Sequence, residues 1–296
     1  LTLIKLNNFM AQKYIIITTA RSGSQMLCEF LNNQQNIRCE LEILQSHKEE
    51  KYAKMLIKAH RSYNSVDSHL KCMEILGDEP SKFVGNRNRR FIEYLKIWED
   101  VIPTKYFGFK IFFNSHLGTS NLSLEDAITY EVFANYIKDN DIKIIHLTRD
   151  NMLLKYISTL TSLITGVHSS SSTSEINSIS VEVSYEKYNK FSTELLKEKQ
   201  DVFNFCLAND INVHHVTYEN LTGSNYVSFY KDILKFIGAD PNLFIDIKDT
   251  RIQNKKKTNI FTIRHKVSNL DQLIEEATEA NDIELLDAIN VELSKM

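Results

Sequence analysis

The chain has 296 residues, 43% of them hydrophobic and 25% charged, enough for one large α/β domain or two smaller ones. A net charge of −3 and a pI of about 6.3 exclude a generally basic, nucleic-acid-coating surface, and no run approaches the ~20 apolar residues of a membrane span or resembles a signal peptide. The four cysteines (Cys28, Cys39, Cys72, Cys206) form neither a C-x-x-C pair nor a Cys/His group at zinc spacing, so reduced thiols in a cytoplasmic protein without bound metal are expected.

Residues 1–11 read as an N-terminal extension. No internal repeat and no Pro- or Gly-rich linker divides the rest, so 12–296 is expected to be a single domain. The β-branched run at 14–17 predicts a buried parallel strand, followed by the turn Arg21-Ser22-Gly23-Ser24 and a helix over 26–33. Residues 37–44 form a short segment which, if extended, puts Glu40 and Glu42 on one face and Leu41 and Ile43 on the other. The stretch 48–100 reads as mainly helical, with a strand at 55–59, a helix at 66–76, and another opened by Arg87, Arg89 and Arg90 and running through Trp98.

The aromatic run 106–113 predicts a second buried strand. Residues 123–138 predict an amphipathic helix with Ser123 as N-cap and Asp126 at the capping-box position. A strand at 141–148 then leads through Arg149-Asp150-Asn151 into a helix from Met152, with a Ser-rich loop at 168–174. A long helix over 183–208, a strand at 211–216, a helix at 224–237 ended by Gly238, and one or two acidic helices in 269–296 complete the reading. Strands alternating with helices imply an α/β fold whose parallel sheet is covered on both faces.

The first turn carries chemistry. A strand, a tight turn and a helix N-terminus point backbone N–H groups at one spot, with about half a positive charge from the helix dipole behind them. Gly23 permits close backbone approach, Ser22 and Ser24 add hydroxyls, and Arg21 adds a permanent charge with a planar fork of donors. This suits phosphate or sulfate, although such corners also occur without a ligand. A P-loop would carry a Lys followed by Ser or Thr at the helix start, whereas the corresponding stretch Gly23-Ser24-Gln25-Met26 has no Lys, which disfavours a Mg-triphosphate. A second strand end offers Arg149, and Ser158 follows nine positions later, about two turns into the next helix. Together they could grip another phosphate, or be an ordinary strand-end arginine and helix serine.

Taken as a pair, these sites resemble the sulfotransferases that use 3′-phosphoadenosine-5′-phosphosulfate (PAPS). Residues 20–27 are similar to that family's 5′-phosphosulfate loop, and 144–151 continuing to Ser158 to its 3′-phosphate motif. The likeness is strongest to the bacterial carbohydrate branch, such as the Nod-factor and trehalose sulfotransferases. Further matches lie at 39–44 and 107–110, with softer ones at 217–221 and 236–238, all in the family's order. Gln25 departs from the pattern by replacing a hydroxyl residue, and Ala20 stands in place of a frequent Pro.

The resemblance implies a three-layer α/β/α domain with a central, mainly parallel sheet, of the P-loop-nucleotidase-like sulfotransferase type. It implies that Arg21, Ser22, Gly23, Ser24 and Gln25 hold the 5′-phosphosulfate, that Arg149 and Ser158 hold the 3′-phosphate, and that no metal takes part. Arg21 would also stabilise charge on the leaving phosphate. Glu42 aligns best with the acceptor base, with Glu40 and His116 as alternatives. Lys110 could face the substrate cleft or be an edge lysine, and Lys255-Lys256-Lys257 could cover the nucleotide or be a solvated loop. The acceptor would be a hydroxyl of a carbohydrate, glycolipid or small metabolite, with no nucleic-acid partner; a homodimer is left open. Two rivals stand beside this reading: a nucleotide or phosphate kinase with a modified loop, and a non-catalytic nucleotide-binding protein.

Overall fold

A computed structural model describes residues 11–40, 104–117, 129–166, 179–246 and 263–294. Within them the chain forms β1 (Gln12–Thr18), α1 (Ser24–Asn32), β2 (Ile37–Glu40), β3 (Tyr106–Phe112), α2 (Phe113–His116), α3 (Tyr130–Asp139), β4 (Lys143–Thr148) and α4 (Met152–Thr165). It continues with α5 (Tyr185–Ala208), β5 (Val213–Thr217), α6 (Tyr218–Thr222), α7 (Tyr226–Ile237), α8 (Ile263–Lys266), α9 (Leu270–Glu279) and α10 (Ile283–Leu293).

The strands make one five-stranded sheet in the order β2-β3-β1-β4-β5, with every neighbouring pair parallel. A central parallel strand is covered on both faces and needs apolar side chains on each, which is why Tyr14, Ile15, Ile16 and Ile17 run without alternation. Ile15 and Ile17 pack with Phe133 and Ile137 of α3 and Val202 and Phe205 of α5. Tyr14 and Ile16 pack on the opposite face with Leu27 and Leu31 of α1 and Ile233 and Ile237 of α7. The result is helix, sheet, helix, and burial of each such side chain stabilises it by roughly 1.5–3 kcal/mol. The Tyr14 ring lies flat across Gly108, where a Cβ would come within 2.2 Å of it, so β3 carries glycine at that point.

After β2 and β3 are laid on one side of β1, the chain crosses over to place β4 and β5 on the other. Such a reversal opens a crevice at the carboxyl ends of the strands, where open α/β sheets bind ligands. The turn 19–23 stands in that crevice.

A third cluster holds α4 in place. Leu153, Tyr156 and Ile157 of α4 pack with Leu270, Leu273 and Ala277 of α9 and with Leu285 and Ile289 of α10. The acidic C-terminal segment thus forms two helices with a shared apolar face.

Two strands start two residues later than expected, for one reason. Asp141 and Asp210 take left-handed backbone (φ 48° and 53°), so β4 and β5 begin at Lys143 and Val213 rather than at 141 and 211. Short polar side chains tolerate that region, and a strand cannot pass through it. The helix expected over 123–138 is also shorter within the described residues. Thr129 is extended (ψ 151°) and caps α3 by accepting from the Val132 N–H at 3.3 Å, so α3 begins at Tyr130. Glu42, the elements expected within 41–103, Ser123, the Ser-rich loop and Lys255-Lys256-Lys257 lie outside the described residues.

Candidate functional site

The turn is shaped by two left-handed residues, Arg21 (φ 64°) and Gly23 (φ 81°). Gly23 is the N-cap of α1 and offers no side chain to its first N–H groups. A Cβ at Gly23 would sit 2.4 Å from Tyr218 Cδ2, so glycine is required by space as well as by torsion. The helix opening therefore keeps its donors uncapped by side chains, at the end of the most buried strand.

Four cationic side chains converge on this turn from different elements. Lys110 of β3 donates its ammonium to Ser24 Oγ at 3.2 Å. Lys155 of α4 donates to Ser22 Oγ at 3.0 Å and to Thr19 Oγ1, and those two hydroxyls are themselves 2.9 Å apart. Arg21 Nε donates to Ser158 Oγ at 2.9 Å. Arg149 Nη1 donates to the Arg21 carbonyl at 3.4 Å, while its guanidinium lies 4.6 Å above the centre of the Tyr218 ring. Ser22, Ser24, Lys110 and Lys155 are all buried.

Burial, and then the like charge of Arg149, pull the Arg21 pKa down; burial likewise pulls Arg149 down, with Tyr218 and Glu219 opposing it. Arg149 Nε is buried and has no hydrogen-bond partner. Holding two guanidiniums together with an unused buried donor is costly unless an anion meets them. Glu219 supplies part of the counter-charge. It accepts the N–H groups of Asp150 and Asn151 at 3.1 and 3.2 Å, so the start of α4 is already filled by a carboxylate. Asn151 caps α4 through the Leu154 N–H at 2.9 Å and donates to Glu292 of α10 at 3.0 Å.

Under the turn, between β1, β4, α4 and α5, lies a cavity of about 80 Å³ lined in part by Thr18, Thr19, His146, Lys155, Glu198 and Lys199. At ~30 Å³ per water it has room for two or three waters, not for a nucleotide. Burial pushes the Lys155 ammonium down to about 8, against the attraction of Glu198. Burial pushes the Glu198 carboxyl up, opposed by the Asn114 N–H and by Lys155. His146 is pushed down to about 3 by burial and by His215, whose Nδ1 is 3.2 Å from its own.

Arg21, Ser22, Gly23, Ser24, Arg149 and Ser158 are thus brought together, in an arrangement the sequence spacing did not suggest. Ser158 bonds to Arg21, the residue of the other expected site, so the two sites share side chains. Gln25 donates to Glu29 Oε1 at 3.1 Å, one turn along α1. Glu40 is buried at the end of β2 and paired with Arg38 Nε at 2.5 Å. His116 closes α2. Sequence reasoning missed Lys155, Thr19 and the role of Glu219. One signal for Lys155 was available: a lone lysine in the apolar run 152–157, three residues before Ser158 and so on its face of the helix.

No protein-family model matches the sequence, and no curated protein matches it. Among the described residues no helix is long and apolar enough to cross a membrane. Among them, too, no group of three or more His, Cys, Asp or Glu side chains could hold a metal ion.

Proposed function

We propose that the chain is a PAPS-dependent sulfotransferase with the P-loop-nucleotidase-like form of the α/β/α fold. It would act in the cytoplasm on a hydroxyl of a carbohydrate, glycolipid or small metabolite and release adenosine 3′,5′-bisphosphate. One observation carries the reading: Arg149, with a buried unpartnered Nε, meets Arg21 at a turn whose helix N–H groups carry no side-chain cap. Two guanidiniums beside an open helix N-terminus suit a ligand with anionic groups at two points, as PAPS has at its 5′ and 3′ positions. The free, buried thiols of Cys28, Cys39 and Cys206 fit a reducing compartment.

In this reading the acceptor oxygen bonds to sulfur as the bridging oxygen–sulfur bond to the 5′-phosphate breaks. The negative charge that collects on the leaving phosphate meets the α1 N–H groups and Arg21, already oriented by Ser158, so little reorganisation is needed. Lys110, held on Ser24, adds a cation on the β3 side. Arg149 takes the 3′-phosphate, and Glu42 accepts the acceptor's proton. Glu40 is the poorer base because Arg38 already pairs with its carboxylate.

A Mg-nucleotide kinase fits less well. The position of a P-loop's metal-binding hydroxyl is occupied by Gln25, which is turned to Glu29, and the neighbouring Ser24 faces an ammonium that would repel Mg²⁺. The test is transfer of label from ³⁵S-PAPS to a host-cell extract, with the labelled product identified. A labelled product that forms with wild type and falls by 10²–10⁴-fold with Glu42→Gln is the expected result. Tight binding of adenosine 3′,5′-bisphosphate with no labelled product from any acceptor pool would instead favour a non-catalytic nucleotide-binding protein.

A further inference from the structure

We infer that Lys155 is a positioning residue that holds the β1–α1 turn in its anion-receiving form, and that anion binding there is coupled to the protonation of this one ammonium. The inference rests on the proposed reading for its ligand, a phosphate or sulfate ester, and on geometry for the rest. Helix α4 grips the turn at two points one helical turn apart, through Lys155 on Thr19 and Ser22 and through Ser158 on Arg21. Ser22 is fully buried, so Lys155 and Thr19 replace water as the partners of its hydroxyl. A P-loop carries its cation within the loop; here the corresponding position is Ser24, and cations reach the turn from α4 and β3 instead.

The surroundings of Lys155 make its charge conditional. Glu198 of α5 and Glu219 of α6 favour the ammonium, and Arg149 opposes it, with burial the largest influence. His146 of β4 lines the same cavity and is held neutral at ordinary pH, with His215 of β5 behind it. Lys199 of α5 is drawn toward Asp150 at 3.6 Å, and Glu292 of α10 is engaged by Asn151. The pKa of about 8 lies where a modest change of pH empties the site of one charge. The cavity, which Lys155 lines, leaves room for a few waters beside its side chain. Deprotonation leaves two N–H donors for Thr19 and Ser22, but bonds from a neutral amine are roughly half as strong as those from an ammonium.

The sign follows from linkage. A bound anion favours the ammonium and raises its pKa, so the complex holds more protons than the free protein above pH 8. Affinity is then flat from pH 7 to about 8 and falls above it, by up to about tenfold per pH unit. Titration calorimetry of the full chain with adenosine 3′,5′-bisphosphate between pH 7 and 9.5 should show roughly a tenfold loss from pH 7.5 to 9.5. Repetition at pH 8.5 in two buffers of different ionisation enthalpy should show net proton uptake. Lys155→Arg keeps a fixed charge and should be flat across this range; Lys155→Met should be both weaker and flat. A flat wild-type profile without proton uptake overturns the inference, as does a Lys155→Met profile as steep as wild type.

A parallel series with sodium sulfate, which does not titrate here, separates the inference from the proposed function. Bisphosphate binding without the break overturns the role of Lys155 and spares the sulfotransferase reading. Sulfate binding with the break, alongside no bisphosphate binding at any pH, overturns that reading and spares Lys155. Binding of neither overturns both.

Discussion

Replacing Arg149 with alanine should weaken adenosine 3′,5′-bisphosphate binding by about 100-fold or more while weakening adenosine 5′-phosphate binding less than tenfold, both read by calorimetry. The size comes from one or two hydrogen bonds to a charged group at ~1.5–3 kcal/mol each, lost from a buried position. The selectivity comes from the unpartnered Nε, which belongs to Arg149 and not to the 5′ turn. Arg149 also bonds the Arg21 carbonyl and lies over Tyr218, so some loss will be shared by both nucleotides. Arg149→Lys separates the effects: it keeps a charge but not the planar fork, and should recover only part of the bisphosphate affinity. An equal loss for the two nucleotides would contradict assignment of the 3′-phosphate to this arginine.

The second large effect is expected at Gly23. Gly23→Ala puts a Cβ at φ 81°, costing ~1–2 kcal/mol of torsional strain, and drives it to 2.4 Å from Tyr218 Cδ2. Overpacking of that kind adds ~1–3 kcal/mol, so a stability loss of about 2–5 kcal/mol is expected by urea unfolding. Relief of the contact would displace the Tyr218 ring over which Arg149 lies, so nucleotide binding should fall by at least tenfold as well. Adding Tyr218→Ala removes the clash but not the torsion, and should restore part of the stability and little of the binding. A Gly23→Ala loss below ~0.5 kcal/mol with binding unchanged would mean that the turn does not need its left-handed glycine.

The central strand was legible because a strand buried on both faces must be apolar at consecutive positions, and 14–17 is. The turn was legible as a tight corner because a polar Arg-Ser-Gly-Ser stretch separates that apolar run from a helical pattern. The spacing from Arg149 to Ser158 was also informative, but it did not report the Ser158 contact with Arg21. Helix α4 carries Ser158 to the end of β1, where Arg21 meets it, and no count along the chain reports which strand end a helix will cross. Lys155 and Glu219 were hidden for a related reason. A lysine in an apolar run looks like an interruption until the hydroxyls it serves, 133 and 136 residues away, are in place. Glu219 opens a short helix of its own and caps the N–H groups of another. The two aspartates that delay β4 and β5 act through backbone torsion, which composition does not reveal.

The most direct measurement compares three ligands on the wild-type chain by calorimetry at pH 7.5: adenosine 3′,5′-bisphosphate and adenosine 5′-phosphate without divalent metal, and ATP with Mg²⁺. A PAPS-dependent enzyme should bind the bisphosphate at least tenfold more tightly than either of the others. Equal affinity for the two adenosine phosphates, or tighter and Mg²⁺-dependent binding of ATP, would contradict it.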